Sequence, residues 1–209
     1  MKRQLVKIMM AGAACIVLAA GTTMAQNGRF SVGAELGLPL GTFGDGSGIG
    51  FGGTLRYELP LGDKMGLTGT AGYMVFSGKE FTISGGGVIP DQTVKGNSSG
   101  IIPIQVGFKY YFNEAQDGFY AMAEVGVHMA MVKVATYDSN GLPTGTETES
   151  STNLSYAPGL GYHLANLDFG LRFQLFTQKH TEETIVGPIS ATTTSSYIGL
   201  RVAYVFGEK

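Results

Sequence analysis

Three histidines are the side chains in this sequence best suited to proton transfer near neutral pH: His128, His163 and His180. Glu182 follows His180 by two residues, so a carboxylate could orient that ring to activate a nearby serine as a nucleophile. Such residues meet by chance in polar loops, however, and His128 is followed by Met129-Ala130 rather than by a serine. The sequence contains no H-x-x-x-H spacing and no pair of cysteines. We therefore predict no catalytic residue, no metal site and no cofactor.

A second set of reactive side chains is mostly charged, and its members stand at alternate positions within apolar segments. They are Glu35, Arg56, Glu58, Lys109, Glu124, His128, Arg172 and Arg201, with Asp168 nearer the end of its segment. If these segments are β-strands of a closed sheet, side chains of one parity share the inner face. An unpaired charge would be costly in such an interior, so pairing is expected. We predict a network in which Arg172, Arg201 and Lys109 bridge Glu124 and Glu35, and which serves as a structural plug rather than a constriction for solutes.

Eight segments of alternating hydrophobicity could position these residues. They comprise residues 30–38, 49–59, 65–76, 102–112, 119–131, 154–164, 167–176 and 198–206. Each has about the length of 9–11 residues that a tilted membrane-spanning strand requires. No stretch after residue 25 is an apolar run long enough for a membrane-spanning helix, and no helical periodicity persists. The pattern predicts an all-β fold, an eight-stranded antiparallel up-and-down transmembrane β-barrel.

The last segment shows the alternation most clearly. Its even-numbered residues, from Ile198 to Phe206, are all apolar, whereas the odd-numbered positions hold Gly199, Arg201, Ala203 and Val205. An apolar face beside a face of small and charged residues suits a strand with lipid outside and a polar interior. A soluble barrel of the lipocalin type would have the opposite arrangement. Its outer surface would need many charged residues, but only 14% of this chain is charged and 33 of 209 residues are glycine.

The connections between the segments alternate in length. Short ones follow the second, fourth and sixth segments, whereas residues 77–100, 132–153 and 177–195 form long ones that are rich in Thr, Ser and Gly. Outer-membrane barrels have short periplasmic turns and longer extracellular loops. We therefore place both chain ends of the barrel in the periplasm and expect the long connections to be solvated loops outside the cell.

The N-terminal residues 1–25 have the character of a secretory signal peptide. A basic start with Lys2, Arg3 and Lys7 precedes an apolar run, and Thr23-Met24-Ala25 provides small residues for cleavage. The single cysteine lies within this segment. Cleavage after Ala25 would move the net charge from −2 to about −5, which argues against nucleic-acid binding. We predict residues 26–209 to be the barrel domain, exported to the bacterial outer membrane.

Over residues 28–206 the chain resembles the small outer-membrane β-barrel family of the OmpA, OmpX and OmpW type. The resemblance rests on the pattern of strands, and its most specific element is Gly199-x-x-Val202-x-Tyr204-x-Phe206. Gly199, Val202, Tyr204 and Phe206 look like the terminal signal that the barrel-assembly machinery reads. Three residues follow Phe206 here, which departs from that pattern.

The resemblance implies fold and location more than a specific role. We predict a non-enzymatic scaffold whose long extracellular loops bind an unknown ligand, mediate adhesion or support envelope integrity. Its partners would be outer-membrane lipids, lipopolysaccharide and the barrel-assembly machinery, and not nucleic acid. Two alternatives remain open: a narrow channel for small solutes, apolar ones included, and a lipid A-modifying barrel enzyme.

Overall fold

The computed structural model describes residues 28–83, 92–96, 98–137, 143–184 and 187–206. The predicted signal peptide, residues 1–25, lies outside these residues. The described residues form, in order, β1 Arg29–Leu40, α1 Gly41–Gly46, β2 Ser47–Pro60, β3 Met65–Gly78, β4 Glu80–Ile83, β5 Gln92–Lys95, β6 Ser99–Tyr111, β7 Gly118–Tyr137, β8 Pro143–Leu164, β9 Leu167–Thr184 and β10 Gly187–Phe206.

Eight of these strands close into an antiparallel barrel. Their order around the barrel is β1-β10-β9-β8-β7-β6-β3-β2, and β4 and β5 form a separate two-stranded sheet between β3 and β6. The barrel closes where β1 pairs with β10, with Phe30 opposite Phe206 and Leu40 opposite Ser196. The predicted eight-stranded antiparallel up-and-down barrel is confirmed.

Side chains alternate between the lumen and the outer surface along every barrel strand, because strand side chains repeat with a period of two. In β1, for example, the odd-numbered residues from Arg29 to Gly37 are buried and the even-numbered ones from Phe30 to Leu38 are exposed. The exposed residues are predominantly apolar, whereas charged and polar residues dominate the buried set. Within the described ranges, no helix is both long and apolar enough to cross a membrane.

The two ends of the barrel differ. At one, which we call the turn end, residues 61–64, 112–117 and 165–166 connect the strands. Outward aromatic side chains pair near this end. The pairs are Phe30–Phe206, Tyr204–Phe206, Phe119–Tyr162 and Tyr110–Phe112, with ring centroids 6.5, 4.7, 4.7 and 5.9 Å apart. Aromatic rings of this kind border the apolar band of membrane barrels.

At the opposite end, which we call the hairpin end, long connections that were expected to be loops are instead continuations of paired strands. β7 and β8 stay paired as far as Tyr137 and Pro143, and β9 and β10 as far as Thr184 and Gly187. The apolar alternation that marked the strands ends earlier, because strands that leave the membrane meet water on both faces. These segments are rich in threonine, which favours the extended backbone even where no apolar face is needed.

A short helix was also not predicted. α1 interrupts the connection between β1 and β2, and no side chain caps its first turn. Phe43 of this helix contacts Phe76 and Phe176 in the barrel, with ring centroids 5.1 and 5.4 Å apart. The Lys79 ammonium donates a hydrogen bond to the carbonyl oxygen of Gly44. These contacts hold α1 over the mouth at the hairpin end.

Candidate functional site

The candidate site is the barrel lumen, where the inward side chains of the eight strands meet. At its centre, the Glu124 carboxylate on β7 lies 2.6 Å from Arg172 Nη1 and 3.1 Å from Arg56 Nη2. Thr70 Oγ1 donates a third hydrogen bond to Glu124, at 2.7 Å. Arg172 Nη2 lies 2.5 Å from both carboxylate oxygens of Glu35 on β1. Arg172 therefore joins two carboxylates that come from different sides of the barrel.

A third carboxylate, Asp168 on β9, binds Lys109 and Arg201 nearer the turn end. Its Oδ2 lies 2.9 Å from Lys109 Nζ, and its Oδ1 lies 3.2 Å from Arg201 Nη1. Tyr120 Oη donates a hydrogen bond to Oδ1 at 3.0 Å, and Arg56 Nη1 is 3.8 Å away. Arg56 thus faces both Asp168 and Glu124 and links the two clusters.

A fourth carboxylate, Glu58 on β2, lies next to the mouth at the turn end. Arg29 Nη2 is 2.7 Å from Glu58 Oε1, and Lys109 Nζ is 3.0 Å from Oε2. Tyr111 Oη donates a hydrogen bond to Oε1 at 2.7 Å. Lys109 also binds Asp168, so ion pairs run from the turn end to the centre of the lumen without a break.

The network is nearly balanced in charge and shielded from bulk solvent. The described lumen charges are the cations Arg29, Arg56, Lys109, Arg172 and Arg201 and the anions Glu35, Glu58, Glu124 and Asp168, all of them buried. Removing such ions from water costs several kcal/mol for each, and only close partners of opposite charge offset that cost. The paired arrangement leaves no single charge to act alone on a solute.

Glycines opposite the long side chains make this packing possible. A Cβ added at Gly161 would lie 2.2 Å from Tyr120 Oη, and one at Gly199 would lie 2.7 Å from Glu35 Oε1. Real Cβ contacts are essentially never this short, so a larger residue would displace the tyrosine or the carboxylate. An eight-stranded barrel is only wide enough for its own side chains to fill the interior.

The hairpin end of the lumen is apolar and aromatic. Met74, Phe76, Ile101, Phe176 and Tyr197 form a buried cluster, and Phe43 packs against it. His128 joins this cluster, because its ring centroid lies 5.2 Å from that of Phe176 and 6.2 Å from that of Tyr197. Neither ring nitrogen of His128 has a hydrogen-bond partner among the residues that the structure describes. The aromatic cluster closes the lumen above the ion network.

A comparison with family models identifies this arrangement. The family described as "Outer membrane protein beta-barrel domain" matches residues 11–206, nearly the whole chain. The chain belongs to this family. It is a small β-barrel of the bacterial outer membrane, with an apolar surface that faces lipid and a polar lumen. No curated protein matches its sequence.

Solved structures of other outer-membrane barrels share the fold. Ail, the attachment invasion locus protein of Yersinia pestis, in complex with the heparin analogue sucrose octasulfate, is 15% identical, with a TM-score of 0.51 over 87% of this chain and 99% of Ail. OprG from Pseudomonas aeruginosa is 13% identical, with a TM-score of 0.51 over 88% of this chain and 97% of OprG. Neisserial surface protein A is 13% identical, with a TM-score of 0.50 over 86% and 97%. At these identities the likeness shows the fold alone.

The structure buries all eight residues of the predicted lumen set, but it pairs them differently from the prediction. Arg172 does bridge Glu35 and Glu124. Arg201 and Lys109 were expected at the same two carboxylates, and that expectation is wrong, because both bind Asp168. His128 also stands apart from the ion pairs, in the aromatic cluster. Strand parity fixed which residues face inward, whereas the stagger between strands decides which of them meet.

Several residues of the site were missed or undervalued in the sequence. The sequence pattern places Asp168 near the rim, yet it is a centre of the network with four partners. Arg29 is absent from the predicted lumen set, because the first predicted strand begins at residue 30. It has the same parity as Glu35, and extending the alternation by one residue would have placed it in the lumen. Tyr111 and Tyr120 likewise have inward parity, but hydroxyl partners cannot be assigned from a sequence.

The four residues of the predicted assembly signal lie on β10, the strand that closes the barrel with β1. Gly199 faces the lumen against Glu35, whereas Val202, Tyr204 and Phe206 are exposed on the outer face. Their recognition by the assembly machinery stays a prediction.

The residues considered for catalysis are not assembled within the described structure. The side chains of His180 and Glu182 lie outside what the structure describes. His163 Nδ1 is 3.1 Å from the carbonyl oxygen of Gln116 at the turn end. No group of three or more His, Cys, Asp or Glu that could hold a metal ion occurs in the part of the chain that was searched.

Proposed function

We propose that this protein is a non-enzymatic outer-membrane scaffold that closes its lumen with its own side chains and binds an extracellular partner through the two long hairpins. In the proposed orientation the turn end faces the periplasm and the hairpin end faces outward, since outer-membrane barrels carry their longer connections outside. Lipopolysaccharide and other outer-membrane lipids would surround the apolar outer face.

The observation that carries this proposal is the filled lumen. Ion pairs occupy it from Glu58 at the turn end to Glu35 at the centre, and the aromatic cluster around Phe176 lies above them. A solute would have to separate buried ion pairs in order to pass, and breaking such a pair is strongly unfavourable. A closed barrel leaves its two ends as the surfaces that can act on other molecules.

The hairpins supply a suitable binding surface. The pairing of β8 with β9 begins at Ser155 and Phe176 and runs toward the turn end. Beyond these two residues, toward the hairpin end, this pairing does not join the β7–β8 hairpin to the β9–β10 hairpin. The 11 residues of β8 from Pro143 to Asn153 form roughly 35 Å of strand at about 3.4 Å per residue. Rigid scaffolds that carry projecting elements are common binding surfaces.

Two measurements test the proposal. In planar lipid bilayers containing potassium chloride, the purified barrel should show no stable conductance, and Glu124→Gln should not create an ion-selective pore. A stable ion-selective conductance that changes with Glu124→Gln would overturn the closed lumen. Cells that display the barrel should bind to surfaces coated with heparin, and deletion of residues 144–152 should abolish that binding. Absence of binding to heparin, or equal binding by both forms, would contradict the role of the β7–β8 hairpin.

One observation favours a second function, a passage for small apolar solutes. The hairpin end of the lumen is filled by the apolar side chains of Met74, Phe76, Ile101 and Phe176 beneath Phe43, and an apolar molecule that displaced them would meet no buried charge at that level. In that case, deletion of residues 144–152 would leave uptake of a small apolar solute into lipid vesicles intact. Uptake by vesicles that contain the barrel, and not by empty vesicles, would favour the passage over the closed scaffold.

A further inference from the structure

The turn between β6 and β7, residues 112–117, contains one buried residue in an exposed segment. Gln116 is only 7% exposed, whereas Asn113, Glu114 and Ala115 are exposed to solvent. A polar turn residue normally points into water. Gln116 points into the mouth at the turn end instead.

Every polar group of the Gln116 side chain is used there. Its Nε2 donates hydrogen bonds to the carbonyl oxygens of Gly62, at 2.7 Å, and Met65, at 2.9 Å. Its Oε1 accepts a hydrogen bond from Arg29 Nη2 at 2.5 Å. The carbonyl oxygen of Gln116 lies 3.3 Å from Arg29 Nη1 and 3.1 Å from His163 Nδ1. One residue therefore contacts the β2–β3 turn and neighbouring β3, the start of β1, and β8.

The contact with Arg29 spans the mouth. In the order of strands around the barrel, β7 is four places from β1, which is the opposite side of an eight-stranded ring. Gln116 lies just before β7, and Arg29 is the first residue of β1. The Gln116–Arg29 pair therefore crosses the mouth at the turn end, next to Glu58. Arg29 also binds Glu58.

The backbone at this position is unfavourable for glutamine. Gln116 has a φ of +50°, in the left-handed region that residues other than glycine, asparagine and aspartate rarely adopt. The turn is held in this form by a hydrogen bond from the Asp117 amide to Asn113 Oδ1 at 3.0 Å. Strained backbone that the surrounding contacts maintain is found mainly at functional positions. The unfavourable backbone places the Gln116 side chain in the mouth. The hydrogen bonds that the side chain makes there offset the cost of that backbone conformation.

We propose that Gln116 is the latch of a closure at the turn end, in which the 112–117 turn folds across the mouth and shuts the lumen from the periplasm. The latch consists of hydrogen bonds on a turn whose residues 112–115 are exposed. It can therefore open at far smaller cost than the ion network or the strands, as weakly packed surface segments do. This closure is independent of what the hairpins bind, so it can be tested without knowledge of the partner.

Accessibility of a thiol behind the latch provides the test. Thr68 on β3 is a suitable reporter position, because it is buried, stands opposite Glu58, and its hydroxyl has no hydrogen-bond partner among the described residues. Thr68→Cys would be the single thiol of residues 26–209, because the sequence's own cysteine, Cys15, lies within the predicted signal peptide. The folded barrel in lipid nanodiscs would be treated with a small, water-soluble methanethiosulfonate reagent. Mass spectrometry would then measure the labelling rate.

In this background, Gln116→Ala and Gln116→Asn should each label about tenfold faster or more than the parent. Each factor of ten corresponds to about 1.4 kcal/mol of opening free energy, the size of one or two net hydrogen bonds. Asparagine tolerates the left-handed backbone but is too short to reach all the partners of Gln116. The matched control is Glu114→Gln on the same turn. Its ion pair with Lys64, at 3.6 Å, is exposed to solvent and contributes little, so this variant should label at close to the parent rate.

Heat-modifiable gel migration would establish that each variant is folded. If folded Gln116 variants label at the parent rate, or if Glu114→Gln accelerates labelling equally, the latch is wrong. Failure of both Gln116 variants to fold would also overturn the proposal, because Gln116 would then be a determinant of folding rather than of closure.

Discussion

Replacing Glu124 by glutamine is expected to destabilise the folded barrel by about 3–5 kcal/mol, the usual cost of breaking a buried ion pair by removing one partner. The change preserves the shape of the side chain but removes the charge that Arg172 and Arg56 share, at 2.6 and 3.1 Å. Arg172 keeps Glu35 at 2.5 Å, whereas the nearest other carboxylate to Arg56 in the network, that of Asp168, is 3.8 Å away. The loss therefore falls mainly on Arg56, and we expect the lower part of the range.

A double-mutant cycle separates this cause from a general loss of packing. Arg56→Met together with Glu124→Gln removes the unbalanced cation as well, so the double variant should be more stable than the sum of the single changes by about 1–3 kcal/mol. Glu124 and the exposed Glu114 provide a matched comparison, since Glu114→Gln should change stability by less than about 0.5 kcal/mol.

Urea unfolding in lipid vesicles would measure these differences. Far-UV circular dichroism is the appropriate signal, because the chain contains no tryptophan. The reasoning would be refuted if Glu124→Gln cost less than about 1 kcal/mol, or if the two single changes were additive, since either result would mean that the lumen charges are solvated rather than paired.

Two further predictions concern packing and assembly. Gly161→Ala should destabilise the barrel by about 1–3 kcal/mol through its clash with the Tyr120 hydroxyl, whereas Gly69→Ala, which meets no atom within 4 Å, should be nearly neutral in the same urea experiment. Equal effects of the two changes would contradict the packing explanation. Phe206→Ala should lower the amount of heat-modifiable barrel in the outer membrane more than Phe112→Ala, an exposed aromatic residue near the same end. Equal yields would show that Phe206 acts as an ordinary lipid-facing ring rather than as part of an assembly signal.

The sequence predicted the barrel and its inner face because both follow from one local property. Each strand must turn every second residue toward lipid, so a charged residue such as Arg56 or Arg201 can only lie inward. That parity holds without knowledge of neighbouring strands. The parity is imposed only on the part of each strand that spans the hydrocarbon core. The sequence pattern therefore predicts loops at Asn153, at Thr177 and beyond, where the strands in fact continue as hairpins. Outside the membrane nothing forces one face to be apolar.

The pairing of the charges could not be predicted in the same way. Whether Arg201 meets Glu35 or Asp168 depends on how far each strand is shifted along its neighbours, and on side chains that reach across the lumen. Glu35 and Arg201 are in fact direct neighbours across β1 and β10, yet the Arg201 guanidinium binds Asp168 from β9. Two residues that are opposite each other on paired strands therefore need not form an ion pair inside a barrel this narrow. Long side chains from all strands reach the same central volume and can bind partners on other strands.

The lumen performs the task that an apolar core performs in a soluble protein, but with different energetics. Apolar residues contribute little by being buried here, since lipid already surrounds the outer face, and the interior must be held by paired charges and hydrogen bonds. Such an interior resists opening only while every charge keeps its partner. Small changes at its edge, such as release of Gln116 from Arg29, would expose the Glu58 and Lys109 pair to water and lower the cost of separating it. A barrel built in this way can be closed at rest and still be susceptible to opening from the turn end.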